Sequence, residues 1–428
     1  MVECTSNWLT VCQPMTASAP GVAVKVDIMA AGPQEVDDLL DGLVSFSSHG
    51  LQQIDLKEYF HIIKELGKGG YGKVLLVKDI KTGQRMAMKV LDKVRTSRRS
   101  FLLEFSMAFF LSSHPNIIGC NGTAFTTNDY FVFALELAPA GDLLSLILPE
   151  VGIPEDAAKR CAVQISSALE FIAEKGLVHM DIKPENVLVF DQECRCVKLT
   201  DFGLARAKGA VIRAKAGSVS YMAPEMCVMT LSEGLAAEAT LDVWAFGVII
   251  YCLLTGEFPW QVAISDDEGY KRFVDWQTNS QVDNPPVTWS KIPTGILKMF
   301  SDLLAIDRSK RSQTTEVLKY MSESWKEETP DSATKQEEEN LIQTGSAVQP
   351  GEPVCESSHP ETERNSDNSQ SNASVMSSLS SMSCLLSTDT SESQCEMTPH
   401  PQKGHVPETP IMYDDEMSFH VGAEVDIG

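Results

Sequence analysis

Two short stretches hold the side chains best suited to chemistry: His179–Asn186 (HMDIKPEN) and, fifteen residues on, Asp201-Phe202-Gly203 (DFG). Asp181 is placed to accept a proton from an incoming hydroxyl, and Lys183 to neutralise charge on a phosphoryl group in flight. Asn186 and Asp201 offer the hard oxygen ligands that magnesium prefers. The chemistry such a set supports is phosphoryl transfer. Either string alone is weak in a chain of 428 residues; what gives them weight is the order of the strings around them.

Upstream, Gly67-Lys68-Gly69-Gly70-Tyr71-Gly72-Lys73-Val74 fits G-x-G-x-x-G-x-V. A lone glycine loop also suits a dinucleotide fold, but there a helix would follow it, and here strand-like residues do. Met86-Ala87-Met88-Lys89 comes next, then Glu104 on a helical stretch, then the two loops, then Ala223-Pro224-Glu225. In this order and spacing the sequence resembles a eukaryotic-type protein kinase.

The resemblance implies that residues 66–74 (Leu66 through Val74) cover the ATP phosphates and roof the adenine together with Ala87. Lys89 is then expected to hold the α- and β-phosphates and to pair with Glu104. Glu136-Leu137-Ala138 matches the hinge whose backbone bonds adenine, with Leu135 before it as gatekeeper. Asp142 falls where an acid meets the ribose or a basic substrate residue, and Glu185 is a second candidate for the latter. Glu225 is expected to pair with Arg311, and Asp242 to brace the catalytic loop from a central helix. Lys183 and Ser218 (in GSVSY) follow the serine/threonine pattern, so protein Ser/Thr hydroxyls are the expected acceptors, with ATP and Mg2+ as cofactors. One position departs: the usual H-R-D is His179-Met180-Asp181. Methionine cannot contact a phosphate, so control through a phosphorylated activation loop is expected to be lost.

Longer strings, among them APAGDL at 138–143, DVWAFGVIIYCLLTGEFPW at 242–260 and FVDWQ at 273–277, resemble the SH3-binding-domain serine/threonine kinases. That family is named for a proline-rich tail, and this tail is not one. Pro350–Pro353 and Pro407–Pro410 satisfy P-x-x-P but lack basic flanks, so accidental spacing is expected rather than SH3 binding. Thr329, Thr398 and Thr409 precede prolines and are candidate phosphoacceptors. The rival reading is a pseudokinase-like scaffold acting through its tail, although the lysine, base and DFG positions are intact.

The elements that must position these residues are those of an α+β, bilobed protein-kinase fold. Strands are expected over 61–66, 73–78, 85–91 and 130–137 in a small β-rich lobe, with a helix over 97–112. Helices are expected over 143–148, 154–175, 243–255, 296–304 and 314–325 in a larger α lobe. The kinase domain is placed at 59–326, after a mostly disordered leader over 1–58 in which 37–44 is a candidate helical turn. Beyond it runs a Ser-rich, acidic, disordered tail over 327–428, which cannot bury enough apolar surface to order itself.

The net charge of −24 is concentrated at the ends, with twenty Asp and Glu against three Lys and Arg beyond residue 326. The middle is near neutral, which argues against a nucleic-acid partner. The eleven cysteines are dispersed without a zinc spacing, as in a reduced, cytoplasmic protein. The longest apolar run, 243–254, is too short to span a membrane.

Overall fold

The computed structural model describes residues 51–326 except 214, 216, 231 and 280–284, together with 41, 42, 44, 45 and 48. The tail from 327, with its P-x-x-P and Thr-Pro strings, and most of the leader lie outside the described residues. Residues 41, 42, 44, 45 and 48 are helical. Ordered structure also precedes Tyr59: β1 (Gln52–Gln53) and α1 (Leu56–Tyr59), whose N-cap Asp55 accepts from Lys57 N.

The next three segments form an antiparallel meander of β2 (Phe60–Lys68), β3 (Gly72–Asp79) and β4 (Arg85–Asp92). Asp79 Oδ1 accepts from Lys81 N (2.8 Å) and Thr82 N (2.7 Å), which sets the β3–β4 turn. β5 (Cys120–Thr126) and β6 (Tyr130–Leu135) complete a sheet of order β1-β5-β6-β4-β3-β2. Side chains alternate between its faces. Leu75, Val77, Met86, Met88 and Val90 bury against Leu56 and Phe60 on the outer face. The register Val74↔Lys89 and Leu76↔Ala87 then puts Val74, Ala87 and Lys89 on the opposite, inner face.

Beneath that face runs α2 (Arg98–Leu111), started by Ser97, whose side chain accepts from Ser100 N. Its Phe101 stacks on Phe131 (centroids 4.8 Å) and Phe105 tilts against Phe133 (5.8 Å). Aromatic contacts of this kind add about 0.5–1.5 kcal/mol each beyond burial. They fix the rotation of α2, and with it the direction of Glu104.

In the larger lobe α5 (Ala239–Thr255) packs on α3 (Glu155–Glu174) and on α7 (Thr294–Leu303), and its Trp244 ring meets Tyr270 of α6 (Glu268–Thr278) at 6.3 Å. From Leu241 to Thr255 every residue of α5 is buried, as its unbroken apolar run implies. It stops at Gly256, where φ is +70° and a Cβ would lie 2.1 Å from Leu148 O, so only glycine fits. Short strands β7 (Leu177–Val178), β8 (Val187–Val189) and β9 (Val197–Leu199) bracket the catalytic loop. Downstream, β10 (Arg206–Ala207) pairs with β7, and β11 (Val211–Ile212) pairs with β12 (Leu235–Ala236) beyond the four-residue α4 (Pro224–Cys227).

The structure corrects three expected elements, and β5 is one that was not expected. β5 carries no strand signal because Asn121-Gly122 interrupts its alternation with a bulge. β6 ends at Leu135 rather than 137, since Glu136 N turns to Gly119 O. The helix expected over 143–148 is one 3₁₀ turn, Leu144–Leu146, and that over 314–325 is a 3₁₀ stretch, Thr314–Tyr320. In the latter, Thr314 Oγ1 donates to Glu170 Oε1 (2.6 Å), and Trp325 Nε1 donates back to Tyr320 O (2.8 Å), tying the ends to α3 and to a turn. Among the described residues no helix is long and apolar enough to cross a membrane.

Candidate active site

Lys89 comes from the inner face of β4, Glu104 from α2 and Asp201 from the loop after β9. Lys89 Nζ stands 2.5 Å from Glu104 Oε1 and 2.9 Å from Asp201 Oδ1. Burial works against the ammonium, yet the Glu104 and Asp201 carboxylates outweigh it and hold Lys89 above the usual lysine range. Glu104 is pushed up by burial, despite Lys89, and Asp201 is drawn below its usual range by Lys89, against its own burial.

Two non-glycine residues here take left-handed backbone, Met180 (φ +71°) and Asp201 (φ +65°). Such conformations persist only where the surroundings enforce them. For Met180 the enforcing group is Asp242 on α5, which accepts from His179 N (2.7 Å) and Met180 N (2.9 Å). Asp242 is pushed up by its own complete burial, against these bonds, so the brace carries a desolvation cost. Next to it His179 Nε2 meets Thr200 O at 3.1 Å, and its ring packs 5.1 Å from Phe202. The catalytic loop and DFG are thereby joined through the core.

Asp181 Oδ2 receives Lys183 Nζ and Asn186 Nδ2, both at 2.9 Å. Asn186 Nδ2 also donates to Asp181 O (2.8 Å), closing the loop on itself. Lys183 Nζ donates to Ser218 Oγ (3.2 Å), which brings in the activation segment. Gly217, at φ +102°, passes so near that a Cβ there would lie 3.2 Å from Asp181 Oδ1. Asp181, Lys183, Asn186 and Ser218 thus form one connected group.

The glycine loop divides in role. A Cβ on Gly67, Gly69 or Gly70 would meet nothing within 4 Å, leaving an open cradle. Gly72 is required by the sheet instead, because a Cβ would lie 2.0 Å from Val90 O. Lys68 and Tyr71 are exposed on the loop and Leu66 is exposed at its root. Lys73 departs from the expected cluster: it lies on the Leu75 side of β3, its Nζ over the Tyr130 ring (6.0 Å), away from Lys89.

At the hinge, the Ala138 N–H has no hydrogen-bond partner among the described residues. The Glu136 side chain turns away and pairs with Lys198 Nζ at 2.7 Å, so only its backbone can face the cleft. Sequence reasoning missed Lys198; its one signal is a cation between the buried Val197 and Leu199. Asp142 Oδ1 accepts from Ser145 N (2.9 Å) and starts the 3₁₀ turn, and burial pushes its carboxyl up. Glu185, also pushed up by burial, has one buried oxygen without a partner among the described residues. Downstream, Arg311 forks onto Glu225 (Nη1–Oε1 2.9 Å, Nη2–Oε2 3.1 Å).

The donor set fits a magnesium nucleotide. Asn186 uses its amide N–H groups on Asp181, which leaves the amide oxygen. Asp201 Oδ1 takes Lys89 and Gly203 N, which leaves Oδ2. The open cradle and the Ala138 N–H border the same inner face as Lys89.

Comparison with known proteins agrees with this geometry. The protein kinase domain model matches residues 60–321. Serine/threonine-protein kinase SBK1 of Danio rerio is 43% identical over 297 residues, covering 69% of this chain and 77% of that protein. Its Mus musculus counterpart is 41% identical over 313 residues (73% and 72%). Serine/threonine-protein kinase SBK2 of Rattus norvegicus is 38% identical over 327 residues (75% and 90%). The chain belongs to the protein kinase family, among the SBK serine/threonine-protein kinases.

Proposed function

We propose that this chain transfers the γ-phosphoryl group of ATP to serine and threonine hydroxyls of proteins, with Asp181 as the base. One observation carries the assignment: Asp181 holds a carboxylate oxygen against Lys183 and Asn186 at 2.9 Å, while Lys183 reaches Ser218. Asp181 orients the acceptor hydroxyl and takes its proton. Lys183 offsets charge on the transferred group, and Lys89, fixed by Glu104, holds phosphate oxygens. Gly67, Gly69 and Gly70 let the loop close on the phosphates, with Leu66, Val74 and Ala87 against the base. Backbone groups of Glu136 and Ala138 bond the adenine edge, and Asp142 lies toward the ribose. Asn186 and Asp201 would hold magnesium, which would neutralise charge on the phosphates.

The catalytic unit is 59–326, cytoplasmic, flanked by acidic segments. Asp181→Asn is expected to lower transfer by about 10²- to 10⁴-fold, the range for losing a positioned base. Phosphoamino-acid analysis of the product tests acceptor chemistry. Phosphotyrosine alone would refute the reading, and full activity in Asp181→Asn would support a scaffold with incidental catalysis elsewhere.

A further inference from the structure

Residues 202–224 contain four cations, Arg206, Lys208, Arg213 and Lys215, and no Asp or Glu. All four are exposed. Lys208, Arg213 and Lys215 face no carboxylate within 4.0 Å among the described residues. Glu233, across the β11–β12 pair from Arg213, is held instead by Thr230 Oγ1 at 3.0 Å. Lys215 uses one of its three donors, on Cys227 O at 2.5 Å, which points its stem at the end of α4 and leaves two donors open.

The place of this strip matters more than its charge. Lys215 stands two positions before Gly217, which crosses beside Asp181 Oδ1, and three before Ser218, which Lys183 holds. An acceptor hydroxyl must reach Asp181, so the peptide that carries it comes up beside Gly217 and Ser218, where this strip ends. Two residues of extended chain span about 7 Å and four about 14 Å. Lys215 and Arg213 therefore stand within one to four residues of a peptide whose acceptor is at Asp181.

We propose that Arg213 and Lys215 are specificity residues that read acidic side chains flanking the acceptor, so that the substrates of this kinase are acidic around the phosphorylated Ser or Thr. The inference rests on the phosphotransfer assigned above. Exposed charge pairs are individually weak but add along a peptide, and like charge is repelled, so discrimination exceeds affinity.

The test is a positional peptide library presented to the full chain, with Asp, Lys or Ala at each site from four before to four after a single acceptor Ser. The expected result is about fivefold higher kcat/KM for Asp over Ala at one or more adjoining positions, fading in high salt. In Arg213→Glu/Lys215→Glu that preference should invert to Lys. The ratio is taken within each variant, so partial loss of folded protein cancels, and a merely structural role would lower all peptides alike without inversion. Transfer with no acidic preference, or with the same preference in the charge-reversed variant, overturns the inference and leaves phosphotransfer standing. Transfer to no peptide at all overturns both. Acid indifference that becomes acid preference once the acids beyond residue 326 are neutralised would assign the strip to the chain's own tail and overturn its assignment to substrate.

Discussion

Lys198 Nζ lies 2.7 Å from Glu136 Oε2, joining the strand that leads into DFG to the connector between the lobes. Glu136 Oε2 also accepts from Gly119 N (3.1 Å), and Lys198 Nζ sits 4.8 Å from the Phe190 ring centroid. Both ions are nearly buried. Removing one partner from such a pair strands the other, at a cost of about 3–5 kcal/mol. Glu136→Ala should therefore destabilise the chain by that order in chemical denaturation. Glu136→Ala with Lys198→Met should cost less than Glu136→Ala alone. Additive or larger loss in the double variant would show that the pair is not coupled as described.

Lys89 separates two carboxylates, the nearly buried Glu104 and the more exposed Asp201, that would otherwise repel each other. Lys89→Met should remove measurable transfer and also lower stability at pH 7.5 by about 3 kcal/mol. The pH dependence has a definite sign. Glu104 is already raised by burial, and without Lys89 its folded value rises further above its unfolded one. The ionised form is then the penalised one, so the deficit is present at neutral pH and shrinks as pH falls through that raised value. Melting temperatures of both proteins at pH 7.5 and 5.5 decide this. A gap that widens on acidification would contradict it.

What was legible in the chain was what lies close together in it. Asp181, Lys183 and Asn186 sit within six residues, so spacing alone assembles them. Lys89, Glu104 and Asp201 meet over 112 positions, and only the order of motifs predicts that meeting. The Lys198 pair was hidden because a lysine between two β-branched or aliphatic residues reads as a solvent-facing strand position. Gly72 looked like a phosphate-cradling glycine, but its constraint comes from Val90 O on the neighbouring strand. The 3₁₀ stretch at Thr314–Tyr320 has helical periodicity, and tertiary bonds to α3 override it.

Arg311 has a fully buried side chain and makes five contacts that a lysine cannot reproduce together. Besides its fork onto Glu225, it donates to Ala305 O (3.1 Å) and Thr240 O (2.7 Å) and stacks 5.0 Å over the Trp244 ring. Arg311→Lys keeps the charge but loses the planar fork. A loss of about 2–3 kcal/mol in unfolding free energy is expected, the range for hydrogen bonds to buried charges. A variant with native stability would show that Glu225 finds another donor.

Met180 occupies the place from which an arginine would hold a phosphorylated activation loop, and residues 202–217 contain no Ser, Thr or Tyr to receive a phosphate. The segment is held by backbone instead. β10 pairs with β7, Lys208 N donates to Gly176 O (2.8 Å), Gly209 N to Ala237 O (2.7 Å) and Ala237 N to Ala210 O (2.8 Å). Asp242 fixes the left-handed turn at Met180 from below. None of these bonds depends on added charge, so the loop is set by folding itself. Phosphatase treatment of purified protein should leave activity within about twofold, whereas a loop ordered by new phosphate–arginine bonds loses far more when they are removed. Protein made in bacteria, free of phosphate, should match it. Met180→Arg should not introduce phosphatase sensitivity, since it supplies a cation without an anion to meet. A tenfold or greater drop in the wild-type chain on dephosphorylation would mean that a residue outside 202–217 takes the phosphate and that the backbone pairing alone does not hold the segment in place.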